Sequence, residues 1–191
     1  MFCVPSLIGI WGTRAAATIP ERSCAVAGRI EPVDVNGRRA QLVGCAEAVA
    51  RLATDRQIET QHAGFVTSDV EVRAVLDTVI RRWSKLERPR YTTTDAVAPS
   101  GQIVVDHVVP CRVLVDRMIM MPAECADLLQ RAIVLARITK TEHRSLGGIY
   151  THHKHLYDRM LHAPVGRLPS LGHKRYRDAD PPIQLVRLQL P

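Results

Sequence analysis

The sequence predicts an α+β protein, in which a helical N-terminal part precedes a unit with two strands and a basic C-terminal tail. Three observations support this fold class. Apolar residues recur at helical spacing over residues 41–90, β-branched runs occupy residues 102–109 and 133–139, and basic residues accumulate beyond the second run. The chain of 191 residues is long enough to bury the core of one domain.

Residues 1–40 are expected to form a poorly ordered N-terminal extension. Their apolar run, residues 2–11, is not preceded by a basic side chain, which disfavours a secretory signal peptide. No stretch of the chain reaches the roughly 20 apolar residues of a membrane span. Five cysteines without a CxxC pair are typical of reduced thiols, so a cytoplasmic location is expected.

Residues 41–90 are predicted to contain two helices. The first is indicated by apolar residues on one face, and the second begins with the capping-box signature of Ser68 and Glu71. The second helix ends before Pro89, and residues 91–101 are predicted as a loop between the two parts. Its last turns carry Arg81, Arg82, Lys85, Arg88 and Arg90. These cations suit the helix dipole, and contact with phosphate is the alternative interpretation.

Residues 102–164 are predicted to form the second unit. Its first strand stops at Pro110, and two helical segments divided by Pro122 follow. The second strand leads into a short helix capped by Thr139 or Thr141, which ends at paired glycines. Residues 165–191 are predicted to be the basic tail, with an edge strand near its end.

Asp106 and His107 lie next to each other near the end of the first strand. Adjacent strand residues point to opposite faces, so a site that uses both side chains requires a bend or bulge. Each polar residue here also has a purely structural interpretation. Asp106 can cap a turn, His107 can be a hydrogen-bonded core histidine, and His143 can be exposed helix surface.

The segment DHVVP, followed after a second strand by ITKTEHRSL, resembles the ββα-metal fold of HNH endonucleases. The resemblance implies that Asp106 and His143 bind a divalent cation and that His107 is the general base that activates water. It further implies that Arg137 or Arg144 stabilises the transition state. The cation implied is Mg²⁺ or Mn²⁺, with Zn²⁺ or Ni²⁺ as alternatives, and the reaction is phosphodiester hydrolysis in DNA.

The chain departs from the family pattern at two positions and is therefore interpreted as a divergent member. No Asn precedes the second strand, and Gly147 stands where many members carry a second helix histidine. These departures favour the alternative of a catalytically inactive HNH-like protein that binds nucleic acid or acts as a regulator. An unrelated helical regulator is a third interpretation. A role in phage biology or bacterial defence is a natural setting for the nuclease.

The predicted site lies within a strongly basic stretch. Between Arg137 and Arg177 the chain has nine Lys or Arg residues and two acids, a surplus equal to the net charge of +7 of the whole chain. Such a stretch attracts a phosphate backbone, so DNA is the expected partner and RNA the alternative. The predicted contacts are Lys140, Lys154, Arg159, Lys174, Arg175 and Arg177. His152 and His155 have the helical spacing of a metal-binding pair, with exposed surface as the alternative.

Overall fold

The computed structural model describes residues 34–63, 69–97 and 101–189. The predicted N-terminal extension lies outside the described residues apart from its C-terminal end, and so does the predicted capping residue Ser68. The described part is mixed α+β and mostly helical, with one small mixed sheet of four strands, which confirms the predicted class. None of its helices is long and apolar enough to cross a membrane.

The N-terminal part consists of the helices α1 (Val35–Ala63) and α2 (Asp69–Ser84). Asp34 caps α1, because its Oδ1 accepts a hydrogen bond of 2.9 Å from the backbone N–H of Gly37. Three alanines of α1 are buried in the same core as three large side chains of α2. The small alanine side chains let the helices approach closely. The six residues are Ala46, Ala50, Ala53, Leu76, Ile80 and Trp83.

The helix α4 (Cys111–Met120) completes the main core together with α1 and α2. It is buried from Val113 to Ile119, which includes the charged residues Asp116 and Arg117. Asp116 receives hydrogen bonds from Arg73 and Tyr157, so its buried charge is compensated. As predicted, the helical insert is divided at Pro122. It continues as a 3₁₀ turn (Pro122–Glu124), α5 (Cys125–Asp127) and a π-helical turn (Leu128–Ala132).

The sheet contains β1 (Tyr91–Thr92), β2 (Ile103–His107), β3 (Leu135–Thr139) and β4 (Val186–Arg187), in the order β2-β3-β1-β4. β2 and β4 run antiparallel to their neighbours, and β1 runs parallel to β3. β2 and β3 confirm the two predicted strands. β1 lies in the segment predicted as a loop, and α3 (Thr94–Val97) follows it. A strand of two residues is too short to show a period in the sequence. β1 forms because it pairs with strands that are distant in the chain.

Helices follow β3 to the end of the predicted unit: α6 (Lys140–Ser145), α7 (Ile149–His152) and α8 (Lys154–His162). Thr139 and Glu142 form a full capping box at the start of α6. The turn after α6 contains Gly147, whose backbone φ of 60° is rarely adopted by residues other than glycine. The chain breaks its helix at His153, so His152 and His155 do not share one helix as predicted.

The segment predicted as a basic tail contains a further helix. A 3₁₀ turn (Val165–Arg167) leads into α9 (Leu168–Arg177), which packs on the sheet. Pro169 and Gly172 lie within this helix. Because these two residue types have the lowest helix propensities, the sequence did not predict a helix here. Tyr176 is buried in a second, smaller core, which covers one face of the sheet. That core comprises Val108, Val134, Ala136, Ile138, Leu146, Tyr176, Ala179 and Ile183.

Candidate functional site around Asp106

Asp106 and His107 face opposite sides of β2. The strand pairs with β3 in continuous antiparallel register, with Asp106 opposite Ala136 and His107 opposite Leu135. No bulge interrupts this register, so the alternation of side chains is retained. Ala136 belongs to the small core beneath α9, whereas Leu135 belongs to the main helical core. The two predicted site residues are therefore directed into different parts of the molecule.

Asp106 lies at the centre of a cluster of polar side chains. Its Oδ2 accepts hydrogen bonds from the guanidinium of Arg175 and from the hydroxyl of Tyr176, both on α9. Its Oδ1 lies 3.5 Å from Nε2 of His143 on α6. The side chains of Asp106 and Arg175 are only 12% and 7% exposed, whereas that of His143 is 53% exposed. The structure thus brings together the two residues predicted to bind metal, with two partners that the sequence did not reveal.

The cluster keeps the carboxylate of Asp106 ionised. Burial opposes the ionised form, but the hydrogen bond from His143 and the positive charge of Arg175 outweigh burial and lower the pKa of Asp106. The hydrogen bond to Asp106 in turn raises the pKa of His143. Burial and the adjacent carboxylate raise the pKa of Tyr176, so its hydroxyl stays a hydrogen-bond donor. Within the cluster, one negative charge is therefore compensated by one fixed positive charge.

His107 is half-buried against α2. Its Nε2 lies 2.6 Å from Oγ of Ser84, and that hydroxyl also lies 2.8 Å from the carbonyl oxygen of Ile80. Because a serine hydroxyl has one hydrogen and donates it to Ile80, Nε2 of His107 carries a proton and donates to Ser84. Burial lowers the pKa of His107, so the ring is neutral at pH 7. This hydrogen bond agrees with the structural interpretation of His107.

The two predicted transition-state arginines lie on separate elements. Arg137 is exposed in the middle of β3, where it pairs with Val105 of β2 and Thr92 of β1. Because Ala136 shares the face of Asp106, Arg137 belongs to the opposite face. Arg144 is exposed on α6, directly after His143. Arg144 is therefore the one of the two that is close in sequence to the Asp106 cluster.

The residues present do not fit the divalent cation that the HNH resemblance implies. The carboxylate oxygen Oδ2 of Asp106 is occupied by two hydrogen-bond donors, and the guanidinium of Arg175 would repel a second cation. Among residues 34–63, 69–97 and 101–189, no group of three or more His, Cys, Asp or Glu side chains is placed to hold a metal ion. A buried arginine thus provides the positive charge that the family resemblance assigns to a metal.

The residues predicted to contact nucleic acid differ in their availability. Arg175 is buried in the Asp106 cluster. Lys154 and Lys174 form ion pairs with the acids four residues later, Asp158 at 3.3 Å and Asp178 at 2.5 Å. Nζ of Lys140 donates to Gln102 at 3.1 Å. Arg159 and Arg177 are exposed and form no ion pair with an acid in the described ranges.

Sequence reasoning missed Ser84, Arg175 as a partner of Asp106, and Tyr176. Arg175 and Tyr176 follow Asp106 by 69 and 70 residues, so no local spacing connects them to the strand. No local sequence pattern indicated these contacts, because the basic cluster of residues 174–177 is equally typical of exposed surface.

Comparison with known proteins leaves the family open. No protein-family model, curated protein or solved structure matches this chain. The likeness to HNH endonucleases therefore rests on the residues quoted above and on the order of β2, β3 and α6.

Proposed function

We propose that this protein binds nucleic acid through a basic groove between α8 and α9 and that the Asp106 cluster stabilises the fold beside it. The observation that carries the proposal is the composition of this groove, which has a volume of about 680 Å³. Its wall carries two exposed cations, Arg159 and Arg167, and His162 lies beside them in the lining. Asp158 is the single acid in the described part of the lining, and Lys154 compensates its charge.

The chemistry of the groove suits a phosphate backbone. Two guanidinium groups present planar arrays of donors that match phosphate oxygens, and the hydroxyl of Ser170 adds a neutral donor. The described lining contains no Phe, Tyr or Trp on which a base could stack, and its one aromatic ring is the imidazole of His162. We therefore propose contact with the phosphates of duplex DNA, with little dependence on base sequence.

The test is fluorescence anisotropy of a labelled DNA duplex titrated with the full chain. Reversing two charges of the groove, Arg159→Glu and Arg167→Glu, is expected to weaken binding at least about tenfold and to flatten its dependence on salt. The matched control is Arg51→Glu, which reverses an exposed charge on α1. Binding that is equal in wild type and the groove variants would contradict the proposal.

A metal-dependent HNH-like endonuclease is the second candidate. Two features favour it: Oδ1 of Asp106 lies 3.5 Å from Nε2 of His143, and two antiparallel strands precede α6 as in the family. The poor fit to a cation makes it the weaker of the two. Nicking of supercoiled plasmid with Mg²⁺ or Mn²⁺, lost on His143→Ala, would establish this candidate. Its absence with every metal would leave the binding function alone.

A further inference from the structure

A second groove lies between α1 and α2, on elements that the proposed nucleic-acid surface does not use. Its volume is about 800 Å³, and both walls are helical stripes. The wall from α2 runs from Ala74 to Arg82, a span of roughly 12 Å at about 1.5 Å per residue, and Lys85 and Leu86 extend it in the turn after the helix. The helical part of this wall matches about two turns of a partner helix.

The groove combines an apolar floor with a basic rim. The floor is formed by four side chains: Leu42, Val75, Val79 and Leu86. Val75 is 41% exposed, so part of this floor is open to a partner. The rim is formed by Arg38, Arg82 and Lys85, which are all exposed, and the lining contains no acidic residue among those that the structure describes. Arg81, the neighbouring cation on α2, pairs with Asp77 at 2.6 Å and lies outside the lining.

We propose that this groove binds an acidic amphipathic helix of a partner protein. The partner's apolar stripe would cover the floor, and its Glu or Asp residues would meet the three cations of the rim. An amphipathic helix uses both the apolar floor and the basic rim, whereas a phosphate backbone would use the rim alone, and competition with DNA distinguishes the two occupants. A second copy of this chain would bring an equally basic groove and is disfavoured by repulsion.

The probe for the test is a synthetic helical peptide with Leu at positions i, i+3, i+4 and i+7 and Glu on both flanks. A peptide of the same composition in scrambled order serves as its control. Cys45 lines the groove and is exposed, so binding can also be followed by protection of its thiol from alkylation. We expect the amphipathic peptide to bind saturably and to slow alkylation of Cys45, and the scrambled peptide to do neither.

Matched variants separate this groove from the α8–α9 groove. Arg82→Glu is expected to weaken peptide binding about tenfold, by like-charge repulsion, and to leave DNA binding unchanged. Arg159→Glu is expected to weaken DNA binding and to leave peptide binding unchanged. Val75→Ser tests the floor without altering charge, and melting curves show whether each variant is folded. The proposal is overturned if the two peptides bind equally, if Arg82→Glu leaves peptide binding intact, or if DNA competes with the peptide for the groove.

Discussion

Asp106 illustrates how one buried carboxylate joins two distant parts of the chain. It lies on β2, and its partners Arg175 and Tyr176 lie on α9, so the ion pair fixes the helix on the sheet. Such a pair adds little net stability compared with apolar packing, but removal of one partner leaves the other charge buried. The guanidinium of Arg175 already has one buried nitrogen, Nε, without a hydrogen-bond partner, so it depends on the carboxylate.

Asp106→Asn is expected to lower the free energy of unfolding by about 3 kcal/mol at pH 7, because Arg175 then lacks a counter-charge. Since the pKa of Asp106 is lowered by folding, its contribution is complete above the ordinary carboxyl pKa and is lost as the pH falls through the lowered value. Urea unfolding followed by Trp fluorescence checks both effects. The control Asp178→Asn removes a surface pair with Lys174 and should cost under about 1 kcal/mol.

The pKa values of the two site histidines are expected to be shifted in opposite directions. The hydrogen bond to Asp106 raises the pKa of His143, and burial lowers that of His107. Proton NMR of the imidazole rings, assigned with His107→Gln and His143→Gln variants, measures both values. We expect His143 above and His107 below the ordinary value of about 6.5, and Asp106→Asn should return His143 towards it. A His143 that titrates below His107 would contradict the described contacts.

At the scale of elements, Gly172 determines how closely α9 approaches β2. A Cβ at this position would lie 2.5 Å from the carbonyl oxygen of Val108 and 2.8 Å from its Cγ1. Because Arg175 and Tyr176 follow Gly172 by three and four residues, they share its side of the helix. A shift of the helix at Gly172 would therefore move both partners away from Asp106.

Gly172→Ala is expected to destabilise the protein by about 1 to 3 kcal/mol, because backbone atoms rather than a flexible side chain oppose the new methyl group. The matched control is Gly44→Ala in α1, where a Cβ meets nothing within 4 Å. That change should gain about 0.5 to 1 kcal/mol from helix propensity alone. Equal unfolding midpoints in urea for the two variants would show that α9 does not press on Val108.

The sequence predicted those elements whose signal is local. The strands β2 and β3, the division at Pro122 and the cap of α6 by Thr139 all follow from patterns within a few residues. β1 and α9 escaped prediction for the opposite reason. β1 exists through pairing with β3 and β4, and α9 has a Pro and a Gly that are acceptable only because of where the helix packs.

The same distinction applies to the candidate site. The motif drew attention to Asp106 and His143, which do lie together, because each is placed by a locally predictable element. The partners that decide the chemistry of Asp106 come from α9, which no local pattern connects to β2. Whether the carboxylate of Asp106 faces a metal ion or an arginine depends on that long-range packing.

At the scale of the whole molecule, exposed cations line two separate grooves, one within the basic stretch of residues 137–177 and one on the N-terminal helices. The α8–α9 groove carries the guanidinium groups of Arg159 and Arg167, and the α1–α2 groove carries Arg38, Arg82 and Lys85 around an apolar floor. The buried Asp106 cluster pairs with one cation of the basic stretch, Arg175, which is therefore not available to a partner. Charge counted along the sequence therefore overstates what is available to one partner.

The cluster also sets how the whole protein responds to metal ions. A cation that binds the native state raises its melting temperature by mass action, whereas a site filled by a guanidinium gives no such response. We expect the wild type to melt at the same temperature with Mg²⁺, Mn²⁺ or a chelator, measured by differential scanning calorimetry.

Arg175→Gln should melt at a lower temperature, because the carboxylate of Asp106 is then buried without its counter-charge. The expected loss in the free energy of unfolding is about 3 kcal/mol. Mn²⁺ should restore part of this loss in Arg175→Gln and none of it when Asp106→Asn is added. A rise in the wild-type melting temperature with Mn²⁺ would instead mean that a cation displaces Arg175, and would favour the endonuclease.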